Sequence, residues 1–169
     1  MNITMYQASV PPLMHTLTNL IAILEKGAAH AEEKKIAPSV LLDSRLYPDM
    51  FPLVRQVQIA SDIARRGAAR LAGLVAPDMP DIETTFSELI TRLQQTIAYL
   101  KTLTAEQIDG SETRSISLPV GEETMVFDGL PYLLYFVLPN VYFHVTTAYD
   151  ILRHSGVELG KRDFLGSPK

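Results

Sequence analysis

The chain has 169 residues, 47% of them hydrophobic and 20% charged, with a net charge of −4 and a pI of about 5.5. That length can bury a core without staples, and one domain over 1–169 is expected. The lack of cysteine excludes disulfides, thiolate metal sites and a cysteine nucleophile, and the acidic balance argues against a nucleic-acid partner.

The first residues, Met1 to Tyr6, lack the basic start and apolar stretch of a targeting signal. No apolar run reaches the roughly 20 residues that span a bilayer. The chain is therefore read as soluble and cytoplasmic, with no membrane partner.

Four amphipathic helices are predicted in chain order. The first starts at Ser9 as N-cap, with Pro11 and Pro12 in the opening turn, and Pro38 ends it. Its apolar residues, Val10, Leu13, Met14, Leu17, Leu20, Ile21 and Leu24, recur at three-four spacing. The connection Pro38 to Asp49 carries Leu41, Leu42, Leu46 and Tyr47, and is expected to pack across one end of the bundle. The second helix is predicted from Met50 to Gly73, with a stripe that includes Phe51, Val57, Ala64, Ala68 and Leu71. Asp49 stands just before it as a cap, and Asp62 has Arg65 and Arg66 as partners at helical spacing.

The third helix is predicted from Asp81 as N-cap, with Glu83 in its first turn and an exposed Glu88–Arg92 pair. Between Ser111 and Asp128, alternating β-formers flank a turn at Pro119 to Glu123, the pattern of a hairpin. The fourth helix runs from Pro131 to about His154, interrupted at Pro139, with Gly156 past its end. The tail from Val157 to Lys169 carries enough apolar residues to dock. The fold class is all-α, a four-helix bundle with a small β-hairpin between helices three and four.

Nucleophile elbows and glycine-rich phosphate loops are absent from the sequence. Of the four histidines, His15, His30, His144 and His154, none forms an HxxxH or HExxH pair, so no metal site is assigned. His15 and His30 are read as surface residues and His154 as a partner of the helix C-terminus. His144 lies in an apolar stretch. It is either a core imidazole bonded to Thr147 or a carbonyl, or a polar group facing a pocket. Gln56, Gln58 and Asp62 form a polar lane on helix two. If that lane turns inward it meets His144, a polar spot in an apolar pocket.

Two long motifs resemble a known bacterial family. One is Pro139-Asn140-Val141-Tyr142-Phe143-His144-Val145-Thr146-Thr147-Ala148-Tyr149-Asp150-Ile151-Leu152-Arg153, followed by Gly156 and Leu159-Gly160-Lys161. The other is Arg45-Leu46-Tyr47-Pro48-Asp49-Met50-Phe51-Pro52-Leu53, with Arg55-Gln56-Val57-Gln58. The resemblance is to a domain of unknown function within the DinB/YfiT-like metalloenzyme superfamily. It implies a four-helix bundle, often dimeric. It also implies a divalent metal, commonly zinc or nickel, on one histidine of helix two and an HxxxH pair of helix four. Some relatives are thiol-dependent transferases or isomerases. Here His144 matches the first histidine of the pair, Ala148 stands at the second, and the helix-two position falls at Gln56 or Gln58.

The expected function is small-molecule binding in a central pocket lined by His144, Tyr142, Gln56 and Gln58. The alternatives are a homodimeric structural or interaction protein, with Tyr132, Tyr135 and Phe136 as its apolar surface, and a metal-dependent transferase or hydrolase. No catalytic residue is assigned, no cofactor is assigned, and enzymatic status is left open.

Overall fold

The computed structural model describes residues 2–167, with Val120 by its backbone alone. Met1, Pro168 and Lys169, which belong to the N-terminal and tail segments read above, lie outside the described residues. The long helices are α1 (Met5–Lys34), α3 (Leu53–Leu71), α4 (Phe86–Leu100) and α7 (Leu138–His154). Short helices α2 (Pro38–Leu42), α5 (Ala105–Ile108), α6 (Gly129–Tyr132) and α8 (Lys161–Leu165) and the hairpin β1 (Ser115–Val120) and β2 (Glu123–Asp128) complete the order. Both α1 and α3 pack on α4 and on α7, so the bundle is a square with α1 and α3 at opposite corners. None of the helices is long and apolar enough to cross a membrane among the described residues.

The stripe of α1 is the core: Val10, Leu13, Leu17, Leu20 and Leu24 are fully buried. Each such side chain stabilises the fold by about 1.5–3 kcal/mol relative to exposure. The helix starts earlier than Ser9. Thr4 is the N-cap, in a reciprocal capping box with Gln7, so Pro11 and Pro12 lie inside the helix. Ser9 instead donates to the carbonyl of Met5 at 2.6 Å. A helix already nucleated by a strong cap carries on past two missing N–H groups.

Because α1 and α3 are diagonal, the chain between them has to cross the bundle end. Leu41 and Leu42 are buried there as α2 packs on α1 and α3. Leu46 and Tyr47 are not; both are exposed, as is Phe51. Helix α3 begins at Leu53 behind Pro52, so Asp49 does not cap it. Arg45 holds the turn by donating to the carbonyl of Met50 at 3.1 Å.

Helix α4 starts at Phe86, not at Asp81. Its cap is Thr85, again in a capping box, with Glu88. Hydrogen bonds from the Thr84 backbone and the Thr85 hydroxyl hold the Glu88 carboxyl below its ordinary range. Glu88 is thus occupied by the cap, and the exposed pair with Arg92 does not form; Arg92 is buried.

The hairpin pairs Ser115 with Asp128 through Val120 with Glu123, turning at Gly121 and Glu122. Ile116 and Leu118 of β1 are buried. Gly129 joins it to the bundle where the Ser111 carbonyl oxygen would stand 1.9 Å from any added Cβ, so no other residue fits. Gly156 ends α7 with φ +94°, the left-handed cap that glycine adopts at little cost.

The expected interruption near Pro139 takes the form of a π-helical turn at Leu133–Val137. The wider turn advances the helix phase by about one residue. Tyr132 and Leu133 therefore face the core, and Leu134 is 41% exposed. Tyr132 and Phe136 accordingly stack on one another at 5.6 Å and are not free surface. Only Tyr135 of the three residues expected to be exposed is so, at 76%.

Candidate functional site

Gln56 sits near the start of α3 and His144 in the middle of α7. The contact of Gly67 with Val137 further along shows that the two helices run antiparallel. The seam brings His144 Nδ1 to 2.7 Å from Gln56 Oε1. Gln56 Nε2 donates to the carbonyl of Phe51 at 3.0 Å, which fixes the amide with its oxygen toward the ring. An amide oxygen only accepts, so Nδ1 carries the proton. The lone pair of the neutral ring is then on Nε2, which has no partner among the described residues and is open to solvent.

Burial, and then the Arg55 charge, hold the His144 imidazole below its ordinary value near 6.5. The ring is neutral at neutral pH. Phe143 meets it edge-on, with centroids 5.2 Å apart. The arrangement offers a fixed, uncharged hydrogen-bond acceptor or proton acceptor beside an aromatic wall.

The other two residues expected at this site lie elsewhere. Residues two apart on a helix point roughly 200° apart. Tyr142 thus leaves the ring's side; its phenol is raised by burial and stays protonated. Gln58 faces the start of α4, where its Nε2 donates to Glu83 at 2.9 Å and its oxygen accepts from Arg55. The polar lane of helix two is split between two seams.

The second seam holds an ion cluster. Arg92 of α4 reaches Asp62 of α3 at 2.7 Å, Asp81 at 2.9 Å and Glu83 at 2.9 Å. Its Nε donates to Ser61 at 3.2 Å, and Ser61 meets Thr96 at 2.8 Å. Arg65 also binds Asp62, at 2.6 Å, while Arg66 stands 3.4 Å from it. Arg55 pairs with Asp81. Burial alone would depress the Arg92 guanidinium, but Glu83, Asp62 and Asp81 together raise it. Asp81 and Glu83, expected to serve the start of α4, clamp the preceding extended segment onto the bundle instead.

Among the remaining histidines, His15 is not a free surface group. Its Nε2 donates to the Leu165 carbonyl at 2.7 Å and so ties α8 to α1.

The family described as Domain of unknown function (DUF1993) matches residues 5–165. The chain belongs to this DinB-like family. A solved structure, the crystal structure of a DinB family member protein from Shewanella denitrificans at 1.83 Å resolution, shares 44% sequence identity. The match covers 96% of this chain and 92% of that one, with a TM-score of 0.91. Among curated proteins none matches.

The metal trio implied by the resemblance can be tested on this DinB-like chain. Ala148, where the second histidine of the pair would stand, is fully buried and has no donor atom. Gln56, at the helix-two position, has both ends of its amide committed. No group of three His, Cys, Asp or Glu side chains among the described residues could hold a metal ion. The donor set does not fit the trio, and no chemical step is derived through a metal here.

Proposed function

We propose that this DinB-like protein binds a small molecule at the α3–α7 seam, with His144 as the recognising group. The observation that carries the reading is the Gln56–His144 hydrogen bond of 2.7 Å. It orients a neutral ring so that Nε2 accepts a proton or hydrogen bond from a ligand's hydroxyl or N–H. Phe143, next to His144 in sequence, and Phe51, whose carbonyl accepts from Gln56, have exposed rings that offer apolar contact. A ligand needs both a donor and an apolar portion to use them. A metal-dependent transferase or hydrolase would need donors that Ala148 and Gln56 do not supply.

Nitrogen NMR at neutral pH is expected to show His144 protonated on Nδ1 alone. A thermal-shift screen of small alcohols, phenols and amides is expected to find stabilising members that lose their effect in His144→Ala. Stabilisation would reach about 2.7 kcal/mol at a hundredfold excess over Kd. A ring protonated on Nε2, or ligands that bind the variant equally well, would overturn the reading.

A second reading, a homodimer, rests on exposed apolar residues along one rod. Tyr135 and Phe143 are 76% and 56% exposed, with Leu134 and Tyr142 also accessible. Light scattering at micromolar concentration is expected to show twice the chain mass if they are covered by a second copy. A monomer removes this reading and leaves the first intact.

A further inference from the structure

A cleft of about 310 Å³ opens between the outer face of α3, strand β1 and the π-helical turn. None of the four residues discussed above for the α3–α7 seam lines it. Its walls are mixed: Ile63, Leu118 and the ring of Phe136 give it an apolar side, and Arg55, Asp62, Arg66 and Arg70 give it a charged one. We propose that this cleft binds an organic monocarboxylate with a flat apolar body, its carboxylate held by Arg70 and the Tyr132 hydroxyl.

The argument starts from hydrogen bonds left open. Arg70 donates one N–H to the Tyr132 oxygen at 3.2 Å and has no carboxylate within 4.0 Å among the described residues. Tyr132 is 1% exposed. Its oxygen is already an acceptor for Arg70, so its own O–H is left to donate, and no described residue accepts it. A guanidinium edge and a phenolic proton thus lie side by side in the lining of the cleft. That pair of donors suits the two oxygens of one carboxylate. Burial raises the Tyr132 phenol, which keeps that proton in place.

Charge selects a monoanion. Arg55 at the cleft margin is neutralised by Asp81, and Asp62 by Arg65 and Arg92. Arg66 is only loosely engaged, at 3.4 Å from Asp62 and 4.0 Å from the exposed Asp78. The surplus is centred on Arg70. A volume near 300 Å³ is at the lower end for small-molecule sites, enough for a bicyclic ring. The stacked Tyr132 and Phe136 rings, 15° from parallel, favour a flat one.

Methyl NMR titration of the whole chain with 2-naphthoate, 2-naphthamide and inorganic phosphate tests this. Naphthoate is expected to shift the Ile63 and Leu118 methyls saturably. Naphthamide should bind at least about tenfold more weakly, as should naphthoate to Arg70→Met, since each loses a charge-assisted pair. Tyr132→Phe keeps the core volume and should weaken naphthoate by a smaller factor, so it serves as the test if Arg70→Met fails to fold. Equal binding of acid and amide overturns the proposal. So do unchanged affinity in both variants, methyl shifts away from the cleft, or phosphate binding as well as naphthoate does.

Discussion

Along α3, Ser61, Asp62 and Arg65 turn toward α4, whereas Gln56 turns toward α7. At the α4 seam every donor of the Arg92 guanidinium is used: Nε on Ser61, Nη1 on Glu83 and the Pro80 carbonyl, Nη2 on Asp62 and Asp81. At the α7 seam His144 has one nitrogen held and one open. The saturated Arg92 guanidinium has nothing left to offer a ligand, and its effect is to fix the segment before α4 onto the bundle; beside it, the buried Nε and Nη1 of Arg65 have no partner among the described residues. A held ring with a free lone pair is strained toward nothing and presents a group that a ligand can satisfy. The polar groups facing α3 therefore divide into architecture and candidate chemistry by whether a group is both short of a hydrogen bond and open to solvent: Arg92 is neither, the unpartnered nitrogens of Arg65 are buried, and His144 Nε2 is both.

The largest way to break that division is Arg92→Met. Removing this shared cation leaves Glu83 with Gln58 as its partner and takes one cation each from Asp62 and Asp81, a loss of about 3–5 kcal/mol for a buried cluster. Asp81 is about a third exposed and contributes least to that figure. Urea denaturation should show the loss in the midpoint with an unchanged slope. Adding Glu83→Gln in the same chain should restore part of it, because the two residues are coupled. A loss below about 1 kcal/mol would mean that solvent, not the cluster, satisfies these groups.

Gln56→Glu sharpens the other half. Placing a carboxylate where the amide oxygen now accepts from Nδ1 should favour the charged imidazole and raise the His144 pKa. Proton NMR of the ring CH signals against pH reads this directly. An unmoved titration would show that residue 56 does not hold the ring, and the contrast between the seams would lose its second term.

Much of this was legible in the residues. Three-four spacing of leucines identified the rods, and alternation around Pro119 to Glu123 identified the hairpin. Two helix starts mislead. Pro11 and Pro12 suggested a helix start, although Thr4 and Gln7 already spelled a capping box one turn and more upstream. Asp81 suggested another, although Thr85 and Glu88 repeat the same signal. The phase slip at Leu133–Val137 has no period in sequence, so the residue pattern places Tyr132 at the surface, whereas it is core. At the site, the facing of Gln56 and His144 follows from helical position. The divergence of Gln58 and Tyr142 follows from the same geometry, applied over two residues instead of four. Arg92 was the opaque case. Its partners Asp62, Asp81 and Glu83 come from a helix and an extended strap, and no spacing rule joins them.

The smallest effect is a pH dependence at the α7 seam. In the unfolded chain His144 takes its proton near pH 6.5; in the folded chain burial and Arg55 delay uptake to lower pH. Between those two points the unfolded state binds more protons, so stability falls as pH falls through that window. Above about pH 6.5 both states are deprotonated and the contribution is fully present. Solvent reaches the ring, so the whole effect should stay below about 1 kcal/mol. Carboxylates and other histidines titrate as well, which is why the useful quantity is the difference between wild type and His144→Asn across pH 5 to 8. That difference should be level above neutrality and fall on the acid side, at the expense of wild type. A rise on the acid side would mean that the folded protein prefers the imidazolium. Nδ1 and Nε2 would then both be donors, and the free lone pair on which the ligand reading depends would not exist.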